Sequence, residues 1–310
     1  MSSVSVIIVN WNGRHLLPEC LDSLRAQTRP ADEIVVIDNG SNDGSQALIR
    51  ERYPEVTLVE LDDNKGFSAA NNIAIHRAKG DYIALLNNDL LVAPQWIATM
   101  VAAIETDASL GSCACKMLSY NRRNIIDAAG MNYSKSGEAS NRGFGEQDGE
   151  EFSRPKTVFG ACAGAALYRA TMLQDIGLFD EDLYIYYEDV DLAFRAQLTG
   201  YNCLYVPEAV VYHHHSASNS NPANKYYYLV RNNVLVIAKT VPTPLLGRYL
   251  ILIIARLVKT GLVITRAGYL QAYVRGCLDA VRLLPLMMRK RRTIQQHARR
   301  SAKQIAARLT

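Results

Sequence analysis

The 310 residues contain no CxxC pair, no GxGxxG and no GxxxxGK[ST]. The six cysteines (Cys20, Cys113, Cys115, Cys162, Cys203, Cys277) are scattered, which argues against a zinc knuckle and a secreted disulfide framework and points to a reducing compartment. Without the two glycine-rich loops, the dinucleotide-binding and P-loop readings lose support. No Ser-His-Asp or Cys-His constellation of recognisable form is present, so a covalent nucleophile is not expected. The opening run MSSVSVIIVNWNG lacks a basic leader and a cleavage site, and reads as a first strand. A spanning helix needs about 18–20 uninterrupted apolar residues. None is available: the longest clean stretch in the middle of the apolar C-terminal part is Tyr249–Ala255. Acid is scarce there too, since Lys225 to the end carries 17 Lys and Arg and a single acid, Asp279.

Hydrophobic residues make up 49% and charged residues 21% of the chain, enough for a large core and incompatible with a disordered or low-complexity protein. The net charge of +4 conceals a front part at −12 and a tail at +16. A tail of one sign calls for an anionic partner surface, a phospholipid leaflet or a nucleic acid. The length suits one α/β domain plus an extension.

Along residues 1–100, short β-rich runs alternate with helical patterns. Val4–Val9 is followed by Leu16, Leu17, Cys20, Leu21 and Leu24 on one helical face, and Ile34–Ile37 is the next strand. Val56–Leu61 and Tyr82–Leu86 repeat the strand signal. Between them a helix is expected from about Ser68, capped by that serine and stopped at Gly80, and Pro94 opens another. This alternation predicts an α/β fold with a mostly parallel central sheet, helices on both faces, and ligands at the carboxyl ends of the strands. The polar stretch Tyr133–Glu151 reads as a mobile loop. Thr171 begins a short helix, Glu188–Thr199 forms a longer one closed by Gly200, and Cys203–Val206 and Ala209–Tyr212 read as two strands around Pro207. No internal repeat is found. The expected division is a catalytic domain over 1–224 and a basic, apolar helical region over 225–310. Its apolar runs, punctuated by Arg248, Arg256, Lys259, Arg266, Arg275 and Arg282, fit amphipathic helices lying on an anionic membrane, the alternative being a helical subdomain packed on the front domain. The run Arg289–Arg292 comes with no nucleic-acid module, so nucleic acid is not an expected partner.

Chemistry-bearing residues fall at strand and helix ends. Asp38 follows Ile34–Ile37 in the run DNGSNDGS, where an acid can accept from a ribose or base, or simply shape a turn. The strand Tyr82–Leu86 runs into Asn87-Asn88-Asp89, and a lone carboxylate there suits a hard divalent cation that keeps waters and phosphate oxygens, or a solvated strand end. Glu188, Asp189 and Asp191 open a helix. The helix dipole favours their ionised form and the flanking tyrosines oppose it by excluding water, which is how a general base is prepared. His213, His214 and His215 follow a strand and read either as completing a metal site begun by Asp89 or as a partly exposed polar cluster; successive side chains point to opposite faces, so at most one or two of the three can face the cleft.

Together the runs VSVIIVNWNG (4–13), EIVVIDNGSNDGS (33–45), NKGFSAANN (64–72), GDYIALLNND (80–89), GACAGAALYR (160–169), GLFDEDLYIYYEDVDL (177–192) and YVPEAVVYHHHS (205–216) resemble the family 2 glycosyltransferases of the GT-A fold, most closely the bacterial rhamnosyltransferase-like branch. The resemblance covers roughly residues 4–235. It implies that Asn10, Trp11, Asp38 and Asn39 surround the nucleobase and ribose, that Asn88 touches the ribose, and that Lys65, Gly66 and Asn71 lie beside the donor. It places Mg²⁺ or Mn²⁺ on Asp89 and His213, although Asn87 and Asn88 stand where the family usually has the first acid of a DxD. It makes Asp189, in the pair Glu188-Asp189, the catalytic base of an inverting transfer, gives Asp191 a structural or acceptor-orienting role, and assigns contact with an acceptor phosphate to Arg231 and Asn232. The implied activity moves a sugar, L-rhamnose from dTDP-L-rhamnose first and a UDP-sugar second, to a lipid-linked or polysaccharide acceptor in cell-envelope glycan synthesis. The implied place is the cytoplasmic face of the bacterial inner membrane. A sugar nucleotidyltransferase would need a Gly-rich, basic loop after the first strand, which Asn10–Arg14 does not supply. A non-catalytic membrane scaffold is the competing reading of another class.

Overall fold

The computed structural model describes residues 2–214 and 221–310. Its first half is the expected alternation: β1 (Val4–Asn10), α1 (Leu17–Arg25), β2 (Glu33–Asp38), α2 (Ser45–Arg52), β3 (Thr57–Glu60), α3 (Gly66–Arg77) and β4 (Tyr82–Leu86). β1 pairs in parallel with β2 and β4, and β2 with β3. Asn10 stands opposite Asp38, so both residues leave the sheet at the same end. Val4, Val6 and Ile8 pack on Leu17, Leu21 and Leu24 of α1, while Ile7, Val35 and Ile37 pack with Ala70 and Ala74 of α3 on the other face. Those two alanines let α3 lie close to the sheet.

The second half adds β5 (Leu90–Val92), α4 (Trp96–Glu105), β6 (Leu110–Ser119), β7 (Ile126–Ala128), β8 (Met131–Tyr133), β9 (Ala139–Asn141), β10 (Lys156–Val158), β11 (Ala165–Arg169), α5 (Ala170–Ile176), α6 (Glu188–Thr199) and β12 (Asn202–His213). The sheet runs β10-β12-β6-β11-β4-β1-β2-β3, with β5 on β12 and β7 on β6. β11 is antiparallel to both β4 and β6, so the sheet is parallel over its first half and mixed overall.

Several local expectations change. α3 begins at Gly66, with Lys65 in the capping position; the Ser68 hydroxyl is buried inside the helix rather than capping it. It ends at Arg77, before Gly80. α4 starts at Trp96, two residues after Pro94. The stretch 133–151, read as a mobile loop, holds the β8–β9 hairpin and buries Tyr133 and Arg142. The two strands expected around Pro207 are one strand, β12, whose pairing with β6 shifts register between Val206 and Val210. A bulge tolerates the proline's missing donor.

The remaining helices are α7 (Pro222–Thr240), α8 (Thr243–Arg266), α9 (Leu270–Gln296) and α10 (Ala302–Ala306). The expected boundary at 224/225 falls inside the first turn of α7. α7 is bound to the front of the molecule: Leu235 and Val236 join Leu183, Phe194 and Leu198 in a third core. α9 packs closely on α7 because Gly276 has no side chain; a Cβ there would lie 2.9 Å from the Tyr227 carbonyl oxygen. The C-terminus returns to the front domain, where Arg300 donates to the carbonyls of Gln197, Gly200 and Tyr201, and the Thr310 amide donates to Tyr133 O.

Candidate active site

At the carboxyl ends of β1 and β2 the side chains bind one another. Asn10 Nδ2 donates to Asp38 Oδ2 at 3.0 Å, and Asn88 Nδ2 donates to Asn10 Oδ1 at 2.8 Å. The other Asp38 oxygen accepts from the Ser41 amide at 2.9 Å and Gln46 Nε2 at 2.8 Å. Asn39 accepts from the Lys65 amide at 2.9 Å and donates to Asn64 Oδ1 at 3.0 Å, tying the loop after β2 to the loop before α3. The expected donor residues therefore divide. Asn10, Asp38, Asn39, Asn71 and Gly66 are buried and shape the rim, whereas Trp11 (53% exposed), Lys65 and Asn88 reach solvent. Gly13 is required here, because a Cβ would meet Asn88 Nδ2 at 2.1 Å.

At the end of β4, Asp89 Oδ2 lies 3.2 Å from His213 Nε2 at the end of β12. The other Asp89 oxygen is buried with no hydrogen-bond partner. An orphaned carboxylate oxygen beside an imidazole nitrogen is the donor set a hard divalent cation takes when substrate oxygens complete its shell. Among the described residues no three His, Cys, Asp or Glu side chains form a ready-made metal cage. His213 Nδ1 contacts Asp127 Oδ2 at 2.7 Å. Two carboxylates outweigh the effect of burial and raise the His213 pKa to about 9. His214 turns away: its ring stacks on Tyr120 at 3.6 Å and its Nε2 meets Glu19 at 2.7 Å. His215 lies outside the described residues.

The acidic pair is reached through the segment before β11. The Asn87 amide donates to Gly164 O at 2.7 Å, and the Ala163 amide donates to Asp189 Oδ2 at 3.3 Å, so the end of β4 and the start of α6 meet across residues 163 and 164. Burial raises the pKa of Asp189, opposed by the amides of Ala163 and Val190. Glu188 is pushed up strongly, by burial first and then by the Asp189 charge, and its Oε2 has no partner. Burial thus prevails over the helix dipole. Of the two, Glu188 is pushed more strongly toward its protonated form, and Asp189, with two amide donors, is the better supported as a carboxylate.

Tyr184, Tyr186 and Tyr187, just before this pair, have φ of 65°, 66° and 69°, a left-handed conformation that side-chain-bearing residues adopt at a cost. Arg231 and Asn232 hold them there. Asn232 Nδ2 donates to the carbonyls of Leu183, Ile185 and Tyr186 at 2.7–2.9 Å, and Arg231 donates to those of Asp182 and Leu183. Asp191 is fully buried, paired with Arg195 at 2.9 Å and Lys239 at 2.6 Å. In this structure all three residues bind protein groups, which for Asp191 agrees with a structural role. Asp127, absent from the sequence expectations, sits on a three-residue strand that carries no motif.

A profile of the family described as "Glycosyl transferase family 2" matches residues 5–177. A glycosyltransferase of Bacillus subtilis, YwdF, is 29% identical over 195 residues, 62% of this chain and 67% of that protein. The O-antigen chain rhamnosyltransferase RfbN of Salmonella typhimurium is 27% identical over 213 residues, 67% of this chain and 65% of its own length. GalNAc-T7, solved with UDP, GalNAc and Mn²⁺, superposes with a TM-score of 0.62 at 21% identity, over 77% of this chain and 48% of that one. A mannosyltransferase of Pyrobaculum calidifontis in complex with GDP-Man and Mn²⁺ gives 0.56 at 21% identity, over 99% and 86%. The sheet order, the carboxylates at the ends of β4 and α6, and a match over more than half of the sequence lead to one conclusion: the chain belongs to glycosyl transferase family 2 and has the GT-A fold.

Proposed function

We propose that the protein is an inverting glycosyltransferase that moves L-rhamnose from dTDP-L-rhamnose to a lipid-linked or polysaccharide acceptor at the cytoplasmic face of a bacterial inner membrane. The observation that carries the reading is the arrangement at the end of the sheet. The strand end that carries the unpartnered Asp89 oxygen beside His213 is tied through the Asn87 amide, Gly164 and Ala163 to Asp189, the amide-held member of a buried acidic pair. Asp189 takes the proton from an acceptor hydroxyl as that oxygen attacks the anomeric carbon from the face opposite the leaving nucleoside diphosphate. Its raised proton affinity makes it a better base than an exposed aspartate. Glu188 is pushed toward its protonated form by burial and by Asp189, which limits a second negative charge beside the base. Asp89 and His213 would hold Mg²⁺ or Mn²⁺, which when bound neutralises charge growing on the departing diphosphate. Trp11, Lys65 and Asn88 are the solvent-reaching groups placed to meet the nucleotide.

RfbN favours rhamnose as the sugar, and the UDP complexes among the structural neighbours keep a UDP-sugar as the second reading. The membrane reading is supported by the outer faces of α8 and α9. On α9, Leu270, Val274, Leu278, Val281 and Met288 are exposed along one stripe, and Arg275, Arg282 and Arg289 recur every seventh residue beside it. On α8, Leu250, Ile251, Leu252, Ile254, Val258, Leu262 and Val263 are exposed. No helix among the described residues is long and apolar enough to cross a membrane. An apolar surface flanked by arginines matches an anionic interface, whereas two copies of it would repel each other.

A thermal-shift screen against dTDP, UDP and GDP, each with and without Mn²⁺, tests the donor assignment. Saturation at about 100 times the dissociation constant adds roughly 2.7 kcal/mol of stability. The largest Mn²⁺-dependent shift is expected with dTDP; a shift confined to GDP contradicts both donor readings.

A further inference from the structure

We propose that Asp127 is a positioning residue for the divalent cation: it accepts the Nδ1 proton of His213 and thereby presents the Nε2 lone pair beside Asp89. The proposal rests on the metal-assisted reading above. His213 is flanked by two carboxylates, one at each ring nitrogen, and the contacts are unequal: 2.7 Å from Nδ1 to Asp127 and 3.2 Å from Nε2 to Asp89. When a cation takes Nε2, the proton left on the ring belongs on Nδ1, and Asp127 is the acceptor standing 2.7 Å from it. At the other nitrogen, Nε2 faces an aspartate whose second oxygen is buried with no hydrogen-bond partner. A cation that displaces the Nε2 proton therefore meets one nitrogen and a carboxylate at that edge of the ring. Carboxylates behind metal-bound histidines act in this way, fixing the tautomer, the ring plane and the basicity of the ligating nitrogen.

The placement of Asp127 agrees with this role. It lies on β7, which pairs with β6 on one side while β12, carrying His213, pairs with β6 on the other, so the two residues flank the end of one strand. Its neighbours Ile126 and Ala128 are each 1% exposed and Asp127 itself 4%. A carboxylate in so apolar a place carries a desolvation cost that an apolar residue would avoid. Burial also keeps water from competing for its oxygens, which makes the His213 orientation rigid rather than averaged. The Asn87-Asn88-Asp89 run brings one acid to this edge where two are usual, so a well-held histidine matters more here.

The test uses Mn²⁺ alone, with free Mn²⁺ read by its electron paramagnetic resonance signal, in the full chain and in Asp127→Asn, His213→Ala and the double variant. Asp127→Asn is expected to bind Mn²⁺ roughly 10- to 100-fold more weakly. In the His213→Ala background the same change is expected to add nothing, because its effect runs through the ring. Equal Mn²⁺ affinity of Asp127→Asn and wild type, or an equal loss with and without His213, overturns the proposal while leaving the metal reading intact. Absence of Mn²⁺ binding by the wild type overturns both. A second measurement needs no variant: in 15N-histidine-labelled wild type with Mg²⁺, the ring shifts of His213 are expected to report the proton on Nδ1. A proton on Nε2 overturns the proposal.

Discussion

Asp189 and Glu188 are adjacent, buried together, and differ in what surrounds them. Asp189 receives the amides of Ala163 and Val190; Glu188 leaves one oxygen with no donor. These surroundings favour a proton on Glu188 over one on Asp189, and the two residues should respond differently to amide substitution. Asp189→Asn is expected to retain nucleotide binding and lose roughly 10²- to 10⁴-fold in turnover, the range for removing a general base. Glu188→Gln, which mimics the protonated acid, is expected to keep most of its turnover. Steady-state kinetics beside nucleotide titrations distinguish the two. At this scale the sequence was informative where chemistry sits at the end of an element: Asp89, Asp189 and His213 all stand where a strand stops or a helix starts. It was uninformative where a polar residue serves another residue. Asp38 and Asn39 look like ligand contacts in sequence, and the structure adds that their oxygens accept from Asn10, Ser41, Gln46 and the Lys65 amide. Asp127 gave no signal, because only the distant pairing of β7 and β12 with β6 brings it to His213.

Among the elements, α7 and the turn before α6 depend on each other. Three left-handed tyrosines aim Glu188 and Asp189 at the end of the sheet, and the carbonyls that this backbone exposes are satisfied by Asn232 and Arg231 from α7. Asn232→Ala is expected to cost about 2–3 kcal/mol, from several hydrogen bonds worth about 1 kcal/mol each. It is also expected to lower kcat more than nucleotide affinity, as unfolding and kinetic measurements on one preparation can establish. The helical periodicities of α1 and α6 were plain in sequence, each with a continuous apolar face. The β8–β9 hairpin was not, because Gly and Ser mark both mobile loops and tight turns, and Tyr133 is buried against Phe159 and Phe194, which lie farther along the chain. Pro207 likewise splits the pattern of β12 without ending the strand.

For the molecule as a whole, the charge asymmetry was legible and its architecture was not. The basic region is not an appendage hung on a finished domain. α7 completes the third core, Lys290 of α9 contacts Asp180 and Asp182 close to the turn before α6, and Arg300 closes the end of α6. What remains unpartnered is the outer surface of α8 and α9, where Ile251 is 83% and Val281 62% exposed. Charging this surface with Ile251→Glu and Val281→Glu is expected to abolish co-sedimentation with anionic liposomes while leaving nucleotide binding unchanged. Retained co-sedimentation would place the membrane contact elsewhere. Metal-assisted nucleotide binding is proposed at the end of the sheet, where Asp89 and His213 meet. Calorimetric titration of dTDP and UDP, with and without Mn²⁺, into wild type and Asp89→Ala is the direct test. Mn²⁺ is expected to strengthen nucleotide binding in the wild type, and Asp89→Ala to lose that binding; equal binding in the two proteins would contradict the assignment.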